Sequence, residues 1–87
     1  MIDKQTDPVA WATLMYELED AQEHLENLCR ELNSNSDYDE IEFQIDMAHI
    51  YSHLNRAWNG RNATEKQSEN DVLWHQWSQF PADIEPL

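Results

Sequence analysis

Hydrophobic residues recur at alternating intervals of three and four positions through the early part of the chain. The stripe consists of Trp11, Leu14, Leu18, Ala21, Leu25, Leu28 and Leu32. This heptad spacing is typical of a helix that buries one face against another helix. Asp7 followed by Pro8 is a strong start signal, because aspartate caps helices and proline fits their first position. The pattern predicts a first helix over about residues 8–33.

A second stripe with the same spacing follows the polar run Asn33-Ser34-Asn35-Ser36. Its members are Phe43, Met47, Ile50, Leu54 and Ala57. Ser36 with Asp39 three positions later resembles a capping box, which places the start of this helix near residue 37. Asn59 and Gly60, the only glycine in the chain, are suited to a helix end. A second helix is therefore predicted over about residues 37–59.

The remaining third of the chain is predicted to be less regular. Residues 61–70 are polar and have no periodic pattern, so they are interpreted as a linker. Residues 71–79 are predicted to form a short helix, whose apolar face consists of Leu73, Trp74, Trp77 and Phe80. Pro81 ends this helix, because proline cannot continue it, and residues 81–87 form an extended tail.

The short link between the two long helices indicates that they are antiparallel neighbours. In such a hairpin, the two residue numbers in each facing pair add up to nearly the same value. The two stripes meet this condition in the pairs Leu28–Phe43, Leu25–Met47, Ala21–Ile50, Leu18–Leu54 and Leu14–Ala57. The predicted fold is a single all-α domain, an antiparallel helical hairpin with a short Trp-rich helix that can dimerise into a four-helix-type bundle.

The two flanks of this hairpin differ in chemistry. On one flank the register places Glu17 opposite His53, His24 opposite Asp46, and Glu31 opposite Asp39. The other flank is wider and more apolar, with Met15, Gln22 and Cys29 opposite Gln44, Tyr51 and Trp58. A two-helix hairpin buries only its seam, so the apolar flank needs a cover. The segment with Trp74, Trp77 and Phe80 is the expected cover, from the same chain or from a second copy, and a homodimer is expected.

The charge of the chain is strongly one-sided. Eighteen acidic residues against five basic ones give a net charge of −13 at neutral pH. Such a surface repels nucleic acids and anionic membranes and attracts basic proteins. Eleven of the acids lie between Glu17 and Asp46, where Arg30 is the only base. The expected partner-binding residues are Glu19, Asp20, Glu23, Glu26, Asp37, Asp39, Glu40 and Glu42. A solvated face that only keeps the protein soluble is the alternative interpretation.

Metal binding and catalysis are less favoured by the sequence. Asp46, His49 and His53 follow one helical strip and contain ligand types that zinc and iron accept. They are expected on a solvated flank, whereas metal sites need surrounding support, so carboxylate–histidine pairs are preferred over a metal and no cofactor is expected. Cys29 has no cysteine partner, and no phosphate loop or nucleophile motif is present, so the protein is not expected to be an enzyme.

The expected location is the cytoplasm. The first residues are polar and lack the apolar stretch of a secretory signal, and no apolar run approaches membrane-spanning length. The function expected from the sequence is non-catalytic binding to a basic, nucleic-acid-handling protein, as an inhibitor or nucleic-acid mimic. A dimeric structural or adaptor protein and a helical metal-binding protein are the alternatives.

Overall fold

The computed structural model describes residues 1–87 and confirms an all-helical hairpin. Helix α1 spans Pro8–Ser34 and α2 spans Glu40–Asn59, and the two pack against each other along their length. Two short helices follow, α3 over Glu65–Ser68 and α4 over Asp71–Trp77. Helix α3 packs on α1 and α4 packs on α2, so both lie against the open end of the hairpin. None of these helices has the combination of length and apolar character that crossing a membrane requires.

Helix α2 begins at Glu40, three positions after the predicted start. Its N-cap is Asp39, whose carboxylate accepts a hydrogen bond from the backbone N–H of Glu42 at 2.9 Å. Ser36 therefore does not form the predicted capping box. The carboxylate of Asp39 also lies next to the positive end of the helix dipole, which favours this residue over serine as the cap.

The predicted linker contains one turn of helix. The Thr64 side chain accepts from the N–H of Gln67 at 3.2 Å, and the Gln67 side chain accepts from the N–H of Thr64 at 3.0 Å. This reciprocal capping box stabilises α3 without any apolar periodicity, which explains why the hydrophobic pattern did not reveal the helix. Helix α4 ends at Trp77, two residues before the predicted end.

Gly60 ends α2 for a reason other than the one predicted. Its φ is −93°, so the left-handed conformation that usually selects glycine is not used. A Cβ at this position would lie 2.9 Å from the carbonyl oxygen of Arg56 and 3.2 Å from the ring of Trp77. A side chain at this position would therefore clash first with the last turn of α2 itself and then with Trp77 of α4, which explains the glycine.

The buried core is small and concentrated at the open end of the hairpin. Ile2, Ala10, Leu14 and Ala57 form one cluster, which Trp11 partly covers. The N-terminal segment is held there by a hydrogen bond from the N–H of Ile2 to the carbonyl of Arg61 at 2.8 Å. Farther along the seam, Ala21, Leu28 and Ile50 are also buried.

Only one row of each hydrophobic stripe is buried. Leu14 and Leu28 are 9% and 4% exposed, whereas Leu18 and Leu25 are 40% and 49% exposed. The predicted pairs Leu18–Leu54 and Leu25–Met47 therefore do not form a closed core. A single neighbouring helix covers one side of a heptad stripe, so the second row needs a third layer that the chain does not provide.

Candidate functional site

The eight predicted partner-binding carboxylates are all exposed on the surface of the hairpin. None of them forms an ion pair with a basic side chain. Glu19, Glu23 and Glu26 follow one helical strip of α1, since they are separated by four and three residues. The other members are Asp20 on α1 and Asp37, Asp39, Glu40 and Glu42 at the turn and the start of α2. We call this set of eight residues the acidic surface.

The turn beside the acidic surface is held by a tyrosine–carboxylate contact. The hydroxyl of Tyr38 donates a hydrogen bond to the carboxylate of Asp46, which is the seventh residue of α2. Desolvation, followed by this hydrogen bond and the charges of Asp46, Glu42 and Glu31, raises the pKa of Tyr38 to about 12. The nearby carboxylates thus oppose ionisation of Tyr38, because its phenolate would add another negative charge to the same region.

The charged network of the molecule lies away from the acidic surface, around Arg56. Its guanidinium Nε donates to the Glu17 carboxylate at 2.9 Å, and its Nη1 donates to Ser78 Oγ at 2.8 Å. Nη2 lies 3.1 Å from Nδ1 of His53, and the guanidinium stacks on the ring of Trp74 at 4.2 Å. Arg56 is buried, so this network satisfies a charge that would be costly to leave unpaired.

The Arg56 network positions α4 on the polar flank of the hairpin. Trp74 and Trp77 face Arg56 and Gly60, and they line a small cavity with Ala10 and other residues of α1. The segment expected to cover the apolar flank thus lies on the opposite flank. Only Phe80 reaches the apolar side, where its ring meets Tyr51 edge to face at 5.1 Å between centroids.

One of the three predicted cross-helix pairs on the polar flank is present. Glu17 Oε2 lies 3.1 Å from Nδ1 of His53, as the register predicted. His24 does not pair with Asp46, since it packs against His49 and His53 while Asp46 accepts from Tyr38. Glu31 accepts from the side chain of Asn35 and Asp39 caps α2, so these two carboxylates have separate roles.

The metal candidates are Asp46, His49 and His53, and they do not surround a common point. The Asp46 carboxylate instead accepts a hydrogen bond from the Tyr38 hydroxyl. No three His, Cys, Asp or Glu side chains converge in metal-ligand geometry. The structure instead places His49 and His53 in one cleft with His75 of α4, a residue that the sequence analysis left without a role. This cleft has a volume of about 360 Å³.

The apolar flank of the hairpin is largely uncovered. The exposed apolar residues here are Tyr51 of the flank itself and Leu18, Leu25, Leu32, Phe43 and Leu54 of the two hydrophobic stripes. Met15 is partly buried on the same flank. We call the six exposed residues the apolar face. On α1 these residues are seven positions apart, and on α2 they are eight and three positions apart, which places them on one strip of α1 and one strip of α2.

Trp58 closes one end of the apolar face together with the C-terminal tail. Its indole N–H donates to the Asp83 carboxylate at 2.9 Å, and the Arg61 guanidinium stacks on its ring at 3.8 Å. Arg61 also pairs with Asp83 at 3.2 Å. The hydrogen bond from Trp58, reinforced by Arg61, lowers the pKa of Asp83. The tail is thereby fixed to α2 and does not extend over Leu18 and Leu25.

No known protein family matches the chain, and neither a curated protein nor a solved structure is similar to it. The acidic surface, the apolar face and the cleft lined by His49, His53 and His75 are therefore the features from which a function can be inferred.

Proposed function

We propose that this protein acts by non-catalytic binding to a basic macromolecular partner, a protein that handles nucleic acid, through the acidic surface. The observation that carries the proposal is the segregation of charge. The eight carboxylates of the acidic surface are exposed and unpaired, whereas the ion pairs of the chain involve Glu17 and Asp83 elsewhere. Unpaired carboxylates repel one another and reduce the stability of the hairpin, so a binding role accounts for their presence at this density.

The charge density of the acidic surface supports a nucleic-acid-like mode of binding. Four carboxylates lie between Glu19 and Glu26, a stretch of α1 that rises about 10 Å at 1.5 Å per residue. One strand of DNA carries a phosphate about every 3.4 Å along its axis, which corresponds to roughly three charges over the same length. A basic groove that accommodates a phosphate backbone would meet a similar charge density on α1.

The rigidity of the hairpin also favours binding. Seven of the eight carboxylates lie on α1 or α2 or cap α2, so their backbone is already ordered before any partner arrives. Ordered groups lose less entropy on docking than the same groups on a disordered chain. Long-range attraction between the acidic surface and a basic cleft raises the association rate by about 10–10³-fold and weakens as salt screens it.

The test is capture of partners from a lysate of the native host, at low and high salt, followed by affinity measurement with the purified partner. A variant that neutralises part of the acidic surface is compared with a variant that removes the same charge elsewhere. The first is E19Q/E23Q/E26Q/E40Q, and the matched control is E65Q/E69Q/D71N/E85Q. We expect the first variant to lose affinity and salt dependence, whereas the control retains both. Equal affinity in the two variants would assign the acids to solubility.

Homodimerisation through the apolar face is a second candidate, favoured by the exposure of that face. Leu25 and Leu32 are 49% and 55% exposed, and the neighbouring Ile41 and Ile45 are exposed as well. A second copy packed face to face would supply the missing third and fourth helices and complete a four-helix-type bundle. Such a dimer would act as a structural or adaptor protein. Sedimentation at micromolar concentration tests it, and a monomer of 10.4 kDa would exclude it.

A further inference from the structure

The apolar face follows the open side of the seam between the two long helices. Leu18, Leu25 and Leu32 are exposed at intervals of seven along α1. Phe43 and Leu54 are exposed in the stripe of α2 that packs on α1. A third helix laid along this side of the seam would contact both rows at once. It would supply the layer that a two-helix hairpin lacks.

Neither α4 nor the C-terminal tail covers this side of the seam. Helix α4 lies on the polar flank, and only Phe80 reaches the apolar face, at Tyr51. The tail is held beside Trp58 by a hydrogen bond to Asp83. The exposed leucines of α1 are therefore accessible to a helix from another molecule.

A row of carboxylates borders the apolar face along α1. Glu19 directly follows Leu18, so it lies about 100° farther around the helix. Glu26 follows Leu25 in the same way, which places the two glutamates in a row parallel to the leucines. Both glutamates are exposed and form no ion pair, since Arg30 donates to a neighbouring asparagine instead. A helix on the apolar face would therefore have negative charge along one of its edges.

Charge complementarity indicates the chemistry of the occupant. A second copy of this chain would bring the same row of carboxylates and the same net charge of −13, so it would leave the acidic edge without compensation. A helix with lysine or arginine along one edge would neutralise that row, in the way that charges beside the seam of a coiled coil select the partner helix. Leu18 and Leu32 are 14 positions apart, which corresponds to about 21 Å, or about four turns of helix.

We propose that the apolar face binds an amphipathic helix of a basic protein, whose lysine or arginine edge lies against Glu19 and Glu26. The apolar side of that helix covers Leu18 and Leu25, as in other complexes in which a helix packs on a hydrophobic surface. Apolar contact holds the bound helix, whereas the carboxylates determine its orientation and accelerate its approach. This inference rests on the proposed function, because it names the element of the basic partner that the acidic surface attracts.

The probe is a fluorescently labelled synthetic amphipathic peptide of about 18 residues, with leucines on one face and lysines along one edge of the helix. Its affinity for the full chain is measured by fluorescence anisotropy at low and high salt. One control peptide has the same composition in an order that scatters the leucines around the helix, and a second has glutamate in place of lysine. We expect one peptide to bind per chain, and both control peptides to bind about tenfold more weakly or less.

Two double variants of the protein separate the contributions of the leucines and the glutamates. We expect L18S/L25S to weaken peptide binding by about tenfold or more, because it removes two apolar contacts. E19Q/E26Q should weaken it by about threefold and reduce its salt dependence, because exposed ion pairs contribute less. Circular dichroism checks that each variant is folded, and the partial exposure of both leucines favours this.

Matched control variants carry the same changes outside the apolar face. V72S/I84S replaces two exposed apolar residues, and E65Q/E69Q removes two exposed charges. Both controls should bind the leucine–lysine peptide as tightly as the unmodified protein.

The inference is overturned if the peptide does not bind, or if it binds L18S/L25S as tightly as the unmodified protein. A homodimer that the peptide does not dissociate in sedimentation would also overturn it, because a second copy would then occupy the apolar face. If only the glutamate substitutions weaken binding, the acidic surface still attracts a basic partner, and only the docking of a helix on the leucines is wrong. The proposed function itself fails when the glutamate substitutions leave the affinity for a basic partner unchanged.

Discussion

Leu28 and Leu25 allow a matched test of how the hairpin is stabilised, because they are neighbours in one hydrophobic stripe with different environments. Leu28 is 4% exposed and Leu25 is 49% exposed. Truncation of a buried leucine to alanine costs about 2–5 kcal/mol, the sum of lost transfer free energy and the cavity left behind. The seam of a two-helix hairpin relaxes more easily than a large core, so we expect Leu28→Ala to cost about 2–3 kcal/mol.

The expected cost for Leu25→Ala is smaller for two reasons. About half of its side chain is already in water, so the loss of roughly three carbon groups at about 0.8 kcal/mol each is halved to about 1 kcal/mol. No closed cavity forms at a half-exposed position, so the second contribution is absent. The two substitutions remove the same atoms from the same helix, and the difference between them reports burial alone.

The assay is urea denaturation followed by circular dichroism, carried out at protein concentrations from about one micromolar upward. Under monomeric conditions Leu28→Ala should be the more destabilising variant by at least 1 kcal/mol. If the apolar face forms a homodimer, the cost of Leu25→Ala rises with protein concentration, because only the dimer buries this side chain. Equal costs at every concentration would refute the assignment of one buried and one open row.

Three further predictions concern single contacts. Tyr38 should titrate near pH 12 in tyrosine-ring NMR, and Asp46→Asn should bring its pKa back toward 10.0, because the bond and charge of Asp46 contribute to the shift. Since the folded-state pKa is raised, this contribution to stability is present below pH 10 and is lost toward pH 12. Gly60→Ala should cost about 1–3 kcal/mol in urea denaturation, because its Cβ would lie 2.9 Å from a carbonyl oxygen. Glu17→Gln should cost about 2 kcal/mol by the same assay, since it leaves buried Arg56 without its carboxylate, and an unchanged midpoint would contradict this.

The hairpin was predictable because the hydrophobic residues of both long helices recur at regular intervals. Two stripes of matched spacing on either side of a short polar turn determine antiparallel helices, and the Glu17–His53 contact shows that the register was also accessible. Periodicity does not reveal which row of a stripe is buried. Leu18 lies in one row and Leu28 in the other, and the sequence gives both rows the same hydrophobic residue type at these positions. Their burial depends on how many layers the chain supplies, and a two-helix hairpin supplies only one neighbour.

The flank of the hairpin on which α4 docks could not be predicted from the pattern of hydrophobic residues. Trp74 and Trp77 are suited to either flank, and the apolar flank was the better match by hydrophobicity. The deciding residue is Arg56, because its buried guanidinium needs several partners and finds them in Glu17, Ser78 and the ring of Trp74. A polar network thus determines where the aromatic helix docks. The same docking leaves the apolar face open and brings His75 into one cleft with His49 and His53.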